Sequence, residues 1–318
     1  TVAIPLGADS PEPEGIFLVL PEERRYVDFR LFTAETTVQT IGTLAELLKR
    51  VAGPDTLVLA PYGYTFEWGQ VGPAHAALVK LLESPVDGFV SPFSYRDSGV
   101  GGVGGVVGPV DTARAHGKMW FVMDETRTGI TRDALTGRLN RLAGVSPQDV
   151  LSVQTRNFAA ALAHGLGLFW TDAEGHGALL DPEIWHWFGK MRQIYEVRWG
   201  RLNTDEQAQR GRSREIEPER RVTLAVVVDE TAPLYLRDAG KLGPLVSWGR
   251  DCALLTGVPV RFYLLNEVLD SHVSPASVYL FLNAWCLTEE KRNRLQEFLA
   301  EQTATAVWLY APGYVNPA

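Results

Sequence analysis

Short apolar runs bounded by glycine and proline recur between helix-spaced segments along this chain, and this alternation constrains the fold more than any other feature. Residues 56–62 (TLVLAPY), set between Gly53-Pro54 and Gly63, read as a buried parallel strand. Before them, Val38, Ile41, Leu44, Ala45 and Leu48 stand at helical spacing. The pattern predicts a helix over 74–83 leading to a strand over 87–91, and a short helix near 112–116 leading to a strand over 119–123. It then predicts a helix over 148–164 before a strand over 166–171, and a closing helix over 182–199 with Pro182 in its first turn. Strands alternating with helices imply an α/β fold built on a parallel sheet.

Near residue 200 the composition changes. The stretch NTDEQAQRGRSREIEPERR has almost no apolar residue and reads as a linker over 203–221 between a domain at 1–202 and a smaller one at 222–318. The second domain restarts the alternation: a strand at 222–228, a helix around 241–255, strands at 259–264 and 277–282, a final helix capped by Thr288, and a strand at 305–309. This is the pattern of a doubly wound, Rossmann- or flavodoxin-like unit. The first domain's four strands amount to half, or part, of a (β/α)8 TIM barrel, and its open sheet edges would carry unpaired backbone groups unless something covers them.

At 318 residues and 46% hydrophobic, the chain can bury one large core or two ordinary ones. Its formal charge of −8 argues against nucleic acid as a partner. No apolar run is long enough for a membrane span, and the first fifteen residues lack a secretory leader pattern, so a cytoplasmic location is expected, with a secreted one left open. Cys252 and Cys286 lie in apolar segments far apart, and two buried thiols are expected instead of a disulfide or a zinc site.

Ligands of parallel α/β sheets sit at the carboxyl ends of the strands. There the sequence places Tyr64, Glu67 and Trp68, then Tyr95 and Arg96, then Asp124, Glu125 and Arg127, then Trp170, Asp172, Glu174 and His176. Aromatic rings and carboxylates together suit a carbohydrate, since sugar rings stack on aromatic faces and carboxylates handle hydroxyls and acid/base steps. Each loop alone could equally be a solvated strand end. The glycine-rich run GVGGVGGVVGPV (99–110) fits a phosphate-binding fingerprint only superficially, because Pro109 interrupts it and no long helix follows directly; a mobile loop near the site is expected. The histidines show no metal-ligand spacing, and neither cysteine sits in a nucleophile elbow.

Three segments, LVLAPYGYTFEW, AHAALVKLLESPVDGFVSPFSYRDSG and ARAHGKMWFVMDETRTGITRD, together with FWTDAEGHGALLDPEIW, resemble the second half of the catalytic barrel of glycoside hydrolase family 42, the β-galactosidase-like enzymes. YLFLNAWCLTEEKRNRLQEFLAEQTATAVWLYAPGYV resembles the flavodoxin-like, glutamine-amidotransferase-like trimerisation domain of those proteins. The resemblance implies retaining hydrolysis by two carboxylates about 5 Å apart. Strand 119–123 would occupy the seventh place of the barrel, making Asp124 or Glu125 the nucleophile, with Arg127 orienting it. Tyr64, Glu67, Tyr95 and Trp170 would shape the sugar pocket. No metal or organic cofactor is implied. The implied partners are a carbohydrate substrate, a complementary amino-terminal barrel half from the same parent or a second chain, and further copies of the chain in a homo-oligomer, with a trimer suggested by the resemblance. The alternative is a catalytically inactive sugar-binding or scaffolding protein on the same fold.

Overall fold

A computed structural model describes residues 15–67, 72–126, 128–132, 139–141, 145–209 and 223–317. Two compact units emerge: the described residues of Thr1–Ser94, Gly105–Phe121 and Val222–Ala318 form the first, and those of Tyr95–Gly104 and Val122–Arg221 the second.

The first unit opens with helix α1 (Arg24–Ala52). It starts well before the spacing from Val38 predicts, because Tyr26, Val27 and Ala34 extend its buried face upstream. Val38 and Ala45 are buried as expected. Leu44 and Leu48, however, are 52% and 49% exposed, and with Leu47 and Val51 they form an exposed apolar stripe along the helix. Strand β1 (Leu59–Pro61) pairs in parallel with β2 (Gly88–Pro92). Between them, the helix expected over 74–83 is split into a 3-10 turn at Pro73–His75 and the short α2 (Leu78–Leu82). The Tyr62 hydroxyl sits in the break, donating to the Ala74 carbonyl and accepting from the Ala77 N–H. After α3 (Val110–Ala115), strand β3 (Met119–Asp124) begins beside β2. The bonds Asp87 N–H to Val58 O and Met119 N–H to Asp87 O align the starts of all three strands. Gly108 is needed here, since a Cβ would lie 2.0 Å from the Gly63 carbonyl and 2.6 Å from the Trp120 ring.

The second unit holds the end of β3, the antiparallel hairpin β4 (Ile130–Arg132) and β5 (Leu139–Arg141), helix α4 (Pro147–His164), strand β6 (Gly167–Trp170) and helix α5 (Pro182–Gln209). Thr171 donates to the Asp124 carbonyl at 3.0 Å, so the ends of β3 and β6 lie side by side. The sheet order β1-β2-β3-β6 follows the chain, as in a portion of a barrel wound in one direction. The core of this unit is Ile130, Val150, Phe158, Ile184, Phe188 and Met191. Helix α4 begins at a reciprocal cap between Ser146 and Asp149 and ends at Gly165 in the left-handed region, φ 68°. Ser146→Ala is expected to cost about 1 kcal/mol in urea denaturation. Helix α5 runs to Gln209, through the beginning of the expected linker, while 210–222 lie outside the described residues.

Back in the first unit, β7 (Leu224–Val228) is buried along its whole length. Helix α6 (Trp248–Leu255), β8 (Val260–Leu264), α7 (Leu265–Leu269), β9 (Val278–Phe281), α8 (Glu289–Glu301) and β10 (Thr305–Trp308) follow. The strands are parallel, in the order β10-β9-β7-β8, so the first strand lies inside the sheet and the winding reverses there. The helix expected over 241–255 enters through a π-helical turn at Gly243–Ser247. Thr288 caps α8 by accepting from the Lys291 N–H at 3.2 Å. Cys286 is buried, but Cys252 is exposed, contrary to expectation, because α6 turns Arg250 and Ala253 inward and leaves Cys252 on the opposite side.

The composition change near 203–221 does not mark a division in packing. Strand β8 is an edge strand, and α3 covers that edge: the Asp111 carboxylate accepts from Phe262 N–H at 2.8 Å and the Thr112 hydroxyl from Leu264 N–H at 2.9 Å. Residues 223–317 thus share one unit with the first barrel strands.

Candidate functional site

The end of β3 separates the two candidate nucleophiles. Side chains alternate along a strand, and the final residue, Asp124, points inward at 2% exposure. Its Oδ1 accepts from the Thr126 N–H at 3.0 Å and hydroxyl at 2.5 Å, and its Oδ2 from the Asn157 amide at 3.1 Å. Burial pushes its carboxyl above the usual range, against the opposing pull of Thr126, Asn157 and the Arg156 charge. Asp124 is therefore a fixed, enclosed group. Glu125, one residue on, is half-buried, and its Oε2 accepts from the Tyr95 hydroxyl at 3.0 Å. A carboxylate that reaches solvent while a phenol holds one oxygen is poised for nucleophilic work.

The other expected residues of this unit take varied roles. Trp170 stacks on Phe188, centroids 3.9 Å apart, and is largely packing. Asp172 organises its loop, accepting from the N–H groups of His176, Gly177 and Ala178. Glu174 and His176 form an exposed ion pair at 3.0 Å. Arg96 is half-buried beside Tyr95 on the same loop. Arg127 and Trp68 lie outside the described residues.

The glycine-rich run does not stand open. Arg156 of α4 donates to the carbonyls of Gly99 and Gly102, both at 2.8 Å, and of Ser98 at 3.0 Å. The loop turns its carbonyls inward around a cation, the reverse of a phosphate cradle. Arg156 and Asn157 were not singled out from sequence. One signal was available: Asn157 falls among Val150, Val153, Phe158 and Ala161 on the buried face of α4, where a polar residue needs a partner.

Tyr64 and Glu67 belong to the first unit. Glu67 is 3% exposed and paired with Arg250 at 3.0 Å. Tyr64 lies edge-on to His75, which stacks on Tyr62 and accepts from the Gly63 N–H through Nδ1 at 3.1 Å. Nearby in the same unit, the buried Glu230 carboxylate accepts from the N–H groups of Leu78 and Val79.

His75 and Glu230 have opposite linkage to pH. Burial lowers His75 to about 4 and raises Glu230 to about 7, from ordinary values of 6.5 and 4.5. The unfolded histidine protonates first as pH falls from 6.5 to 4, so His75 withdraws stability over that window. The unfolded glutamate ionises first as pH rises from 4.5 to 7, so Glu230 withdraws stability there. Relative to the parent, Glu230→Gln should gain about 3 kcal/mol as pH rises through its window, and His75→Asn about 3 kcal/mol as pH falls through its own, each on a constant offset. Urea midpoints measured in pH steps check both. A pH-independent difference for either variant would remove that group from the linkage.

Among the described residues, no group of three or more histidines, cysteines or carboxylates could hold a metal, and no helix is long and apolar enough to cross a membrane. No family model matches the sequence, and no curated protein matches it. Among solved structures it is similar to the polyextremophilic β-galactosidase from the Antarctic haloarchaeon Halorubrum lacusprofundi, at 12% identity and a TM-score of 0.49, over 92% of this chain and 43% of that one. The chain thus spans less than half the length of that protein.

Proposed function

We propose that this chain is the carboxyl-terminal part of a β-galactosidase-like glycoside hydrolase that works by retention, with Glu125 as the attacking carboxylate. The observation that carries the reading is the contrast at the end of β3. Asp124 is enclosed and fully engaged, whereas Glu125 is reachable and held by Tyr95. In this reading a Glu125 oxygen bonds to the anomeric carbon as the glycosidic C–O bond breaks. The departing oxygen takes its proton from an acid/base carboxyl, and water then cleaves the glycosyl ester.

The acid/base group is assigned to a complementary barrel half, from a longer parent or a second chain. Two features support this. The other described carboxylates around the end of β3 and the β6 loop are engaged, Asp124 by Thr126 and Asn157, Asp172 by three N–H groups, and Glu174 by His176. The stripe Leu44, Leu47, Leu48 and Val51, together with Leu57 just before β1, is apolar surface of the kind a neighbouring β/α unit covers. The same engagement favours a second reading, an inactive sugar-binding or scaffolding protein, if no second half joins.

Native mass spectrometry of the purified protein, followed by incubation with an activated 2-deoxy-2-fluoro-galactoside, tests the choice. A completed assembly carrying one covalent sugar on Glu125 supports the hydrolase. A completed assembly that binds galactosides without forming the adduct supports the scaffold.

A further inference from the structure

Helix α4 carries Arg156 and Asn157 side by side, and their contacts close a ring around Glu125. Asn157 turns its Oδ1 toward Arg156, accepting from Nε at 3.1 Å and from a terminal N–H at 2.9 Å. That orientation leaves its Nδ2 to donate to Asp124 Oδ2 and to the Thr126 hydroxyl, both at 3.1 Å. One amide therefore grips the residues on either side of Glu125. The remaining Arg156 donors hold the carbonyls of Ser98, Gly99 and Gly102, in the loop that leaves Tyr95. The loop's base is tied by Val103 N–H to Asp97 Oδ2 at 3.1 Å and by Gly104 N–H to the Asp97 carbonyl at 3.2 Å. Tyr95 completes the circuit at Glu125.

We propose that Arg156 and Asn157 are positioning residues, which set the Tyr95–Glu125 contact from both ends: Arg156 through the loop that carries the phenol, Asn157 through the backbone that carries the carboxylate. The inference rests on the reading of Glu125 as the reactive carboxylate, but its test does not depend on turnover.

A planar guanidinium suits this place for a physical reason. Its forked N–H groups satisfy three loop carbonyls and one side-chain amide oxygen at once, which a lysine point charge cannot reproduce. Gly104 is part of the fit, since a Cβ there would come within 2.3 Å of the Arg156 terminal nitrogen. The glycines of this run thus make room for a cation supplied by the chain itself. A vacated guanidinium seat lined by carbonyls should accept free guanidinium ion, which turns the proposal into a chemical-rescue experiment.

The experiment follows two readouts in the full chain: hydrogen exchange at Val103 and Gly104, and the rate at which a water-soluble carbodiimide labels Glu125, read by mass spectrometry. In Arg156→Ala, exchange should rise about tenfold or more, and Glu125 should label as fast as in Tyr95→Phe, where its phenol partner is gone. Millimolar guanidinium, far below denaturing concentrations, should reverse both changes in Arg156→Ala and leave Tyr95→Phe unaffected. Arg156→Lys should stay close to Arg156→Ala, because charge alone does not fill the fork. Unchanged exchange and labelling in Arg156→Ala would overturn the proposal, as would changes that guanidinium does not reverse. If Arg156→Ala does not fold, Asn157→Asp takes its place: it presents a carboxylate to Asp124 and should accelerate Glu125 labelling without loss of helix, and parent-like labelling would overturn the Asn157 role. Failure of the fluoro-sugar to label Glu125 in the completed assembly would sink the hydrolase reading alone and leave these readouts to decide the positioning role.

Discussion

Glu125→Gln in the completed assembly is expected to lower kcat by about 10³-fold or more while galactoside binding persists. Glutamine keeps the shape of the side chain and an oxygen that can accept from Tyr95, so the local structure has no reason to change. It lacks the negative charge that forms the glycosyl ester. A loss of that size corresponds to about 4 kcal/mol of transition-state stabilisation, more than a lost hydrogen bond normally accounts for. Asp124→Asn is the discriminating companion. Asp124 accepts from Thr126 and Asn157 with both oxygens, so an amide NH2 there must face a donor. That substitution should cost about 1–3 kcal/mol of folding stability and affect turnover only through structure. If instead Asp124→Asn removed turnover in a stable protein and Glu125→Gln did not, the roles would be exchanged. Turnover unchanged in both would remove the end of β3 from the chemistry.

The parts of this molecule that could be read in the sequence are those governed by local periodicity. Strands β2, β3, β6 and β7 fall where apolar runs end in charge, and Ser146 and Thr288 mark helix starts by hydrogen bonds within one turn. What could not be read depends on groups distant along the chain. Leu44 and Leu48 keep helical spacing, but spacing does not reveal whether anything covers that side of α1. The run 99–110 has the composition of a loose loop. Its carbonyls are held by Arg156, more than fifty residues away, and nothing local announces that. Glu67 sits at a strand end as a pocket residue would, yet its carboxylate faces a guanidinium 183 residues later. Asp111 and Thr112 look like an ordinary helix start, while their side chains close the edge of β8. The division between units follows the same logic: polarity near 203–221 reports which segment is solvated, and packing reports which segments depend on one another.

That dependence is concentrated at Arg250, and Arg250→Met should cost the folded protein about 3–5 kcal/mol. Arg250 is 0% exposed and donates to Glu67 Oε1 and the Val106 carbonyl, both at 3.0 Å, to the Ser94 hydroxyl at 3.2 Å, and to Asp251 Oδ1 at 2.6 Å. Its loss strands a buried Glu67 carboxylate, which still accepts from the Ser94 hydroxyl but has no compensating charge. Most of the penalty is that stranded charge and not the net worth of the pair, because bringing both ions out of water already costs much of what their attraction returns. The consequence is a reversal of sign. In the parent, Glu67→Gln weakens the contact to Arg250 and should destabilise. In Arg250→Met the same substitution removes the unpaired charge while keeping an acceptor for Ser94, and should restore about 1–3 kcal/mol. Urea denaturation of the four proteins measures this directly. Additive effects would mean that Glu67 is not held by Arg250 in solution, leaving it free for the sugar-binding role its place at a strand end first suggests. The predicted reversal would instead fix Glu67 as the internal counterion of the association-type sheet, and residues 223–317 could then not be detached without exposing a buried arginine.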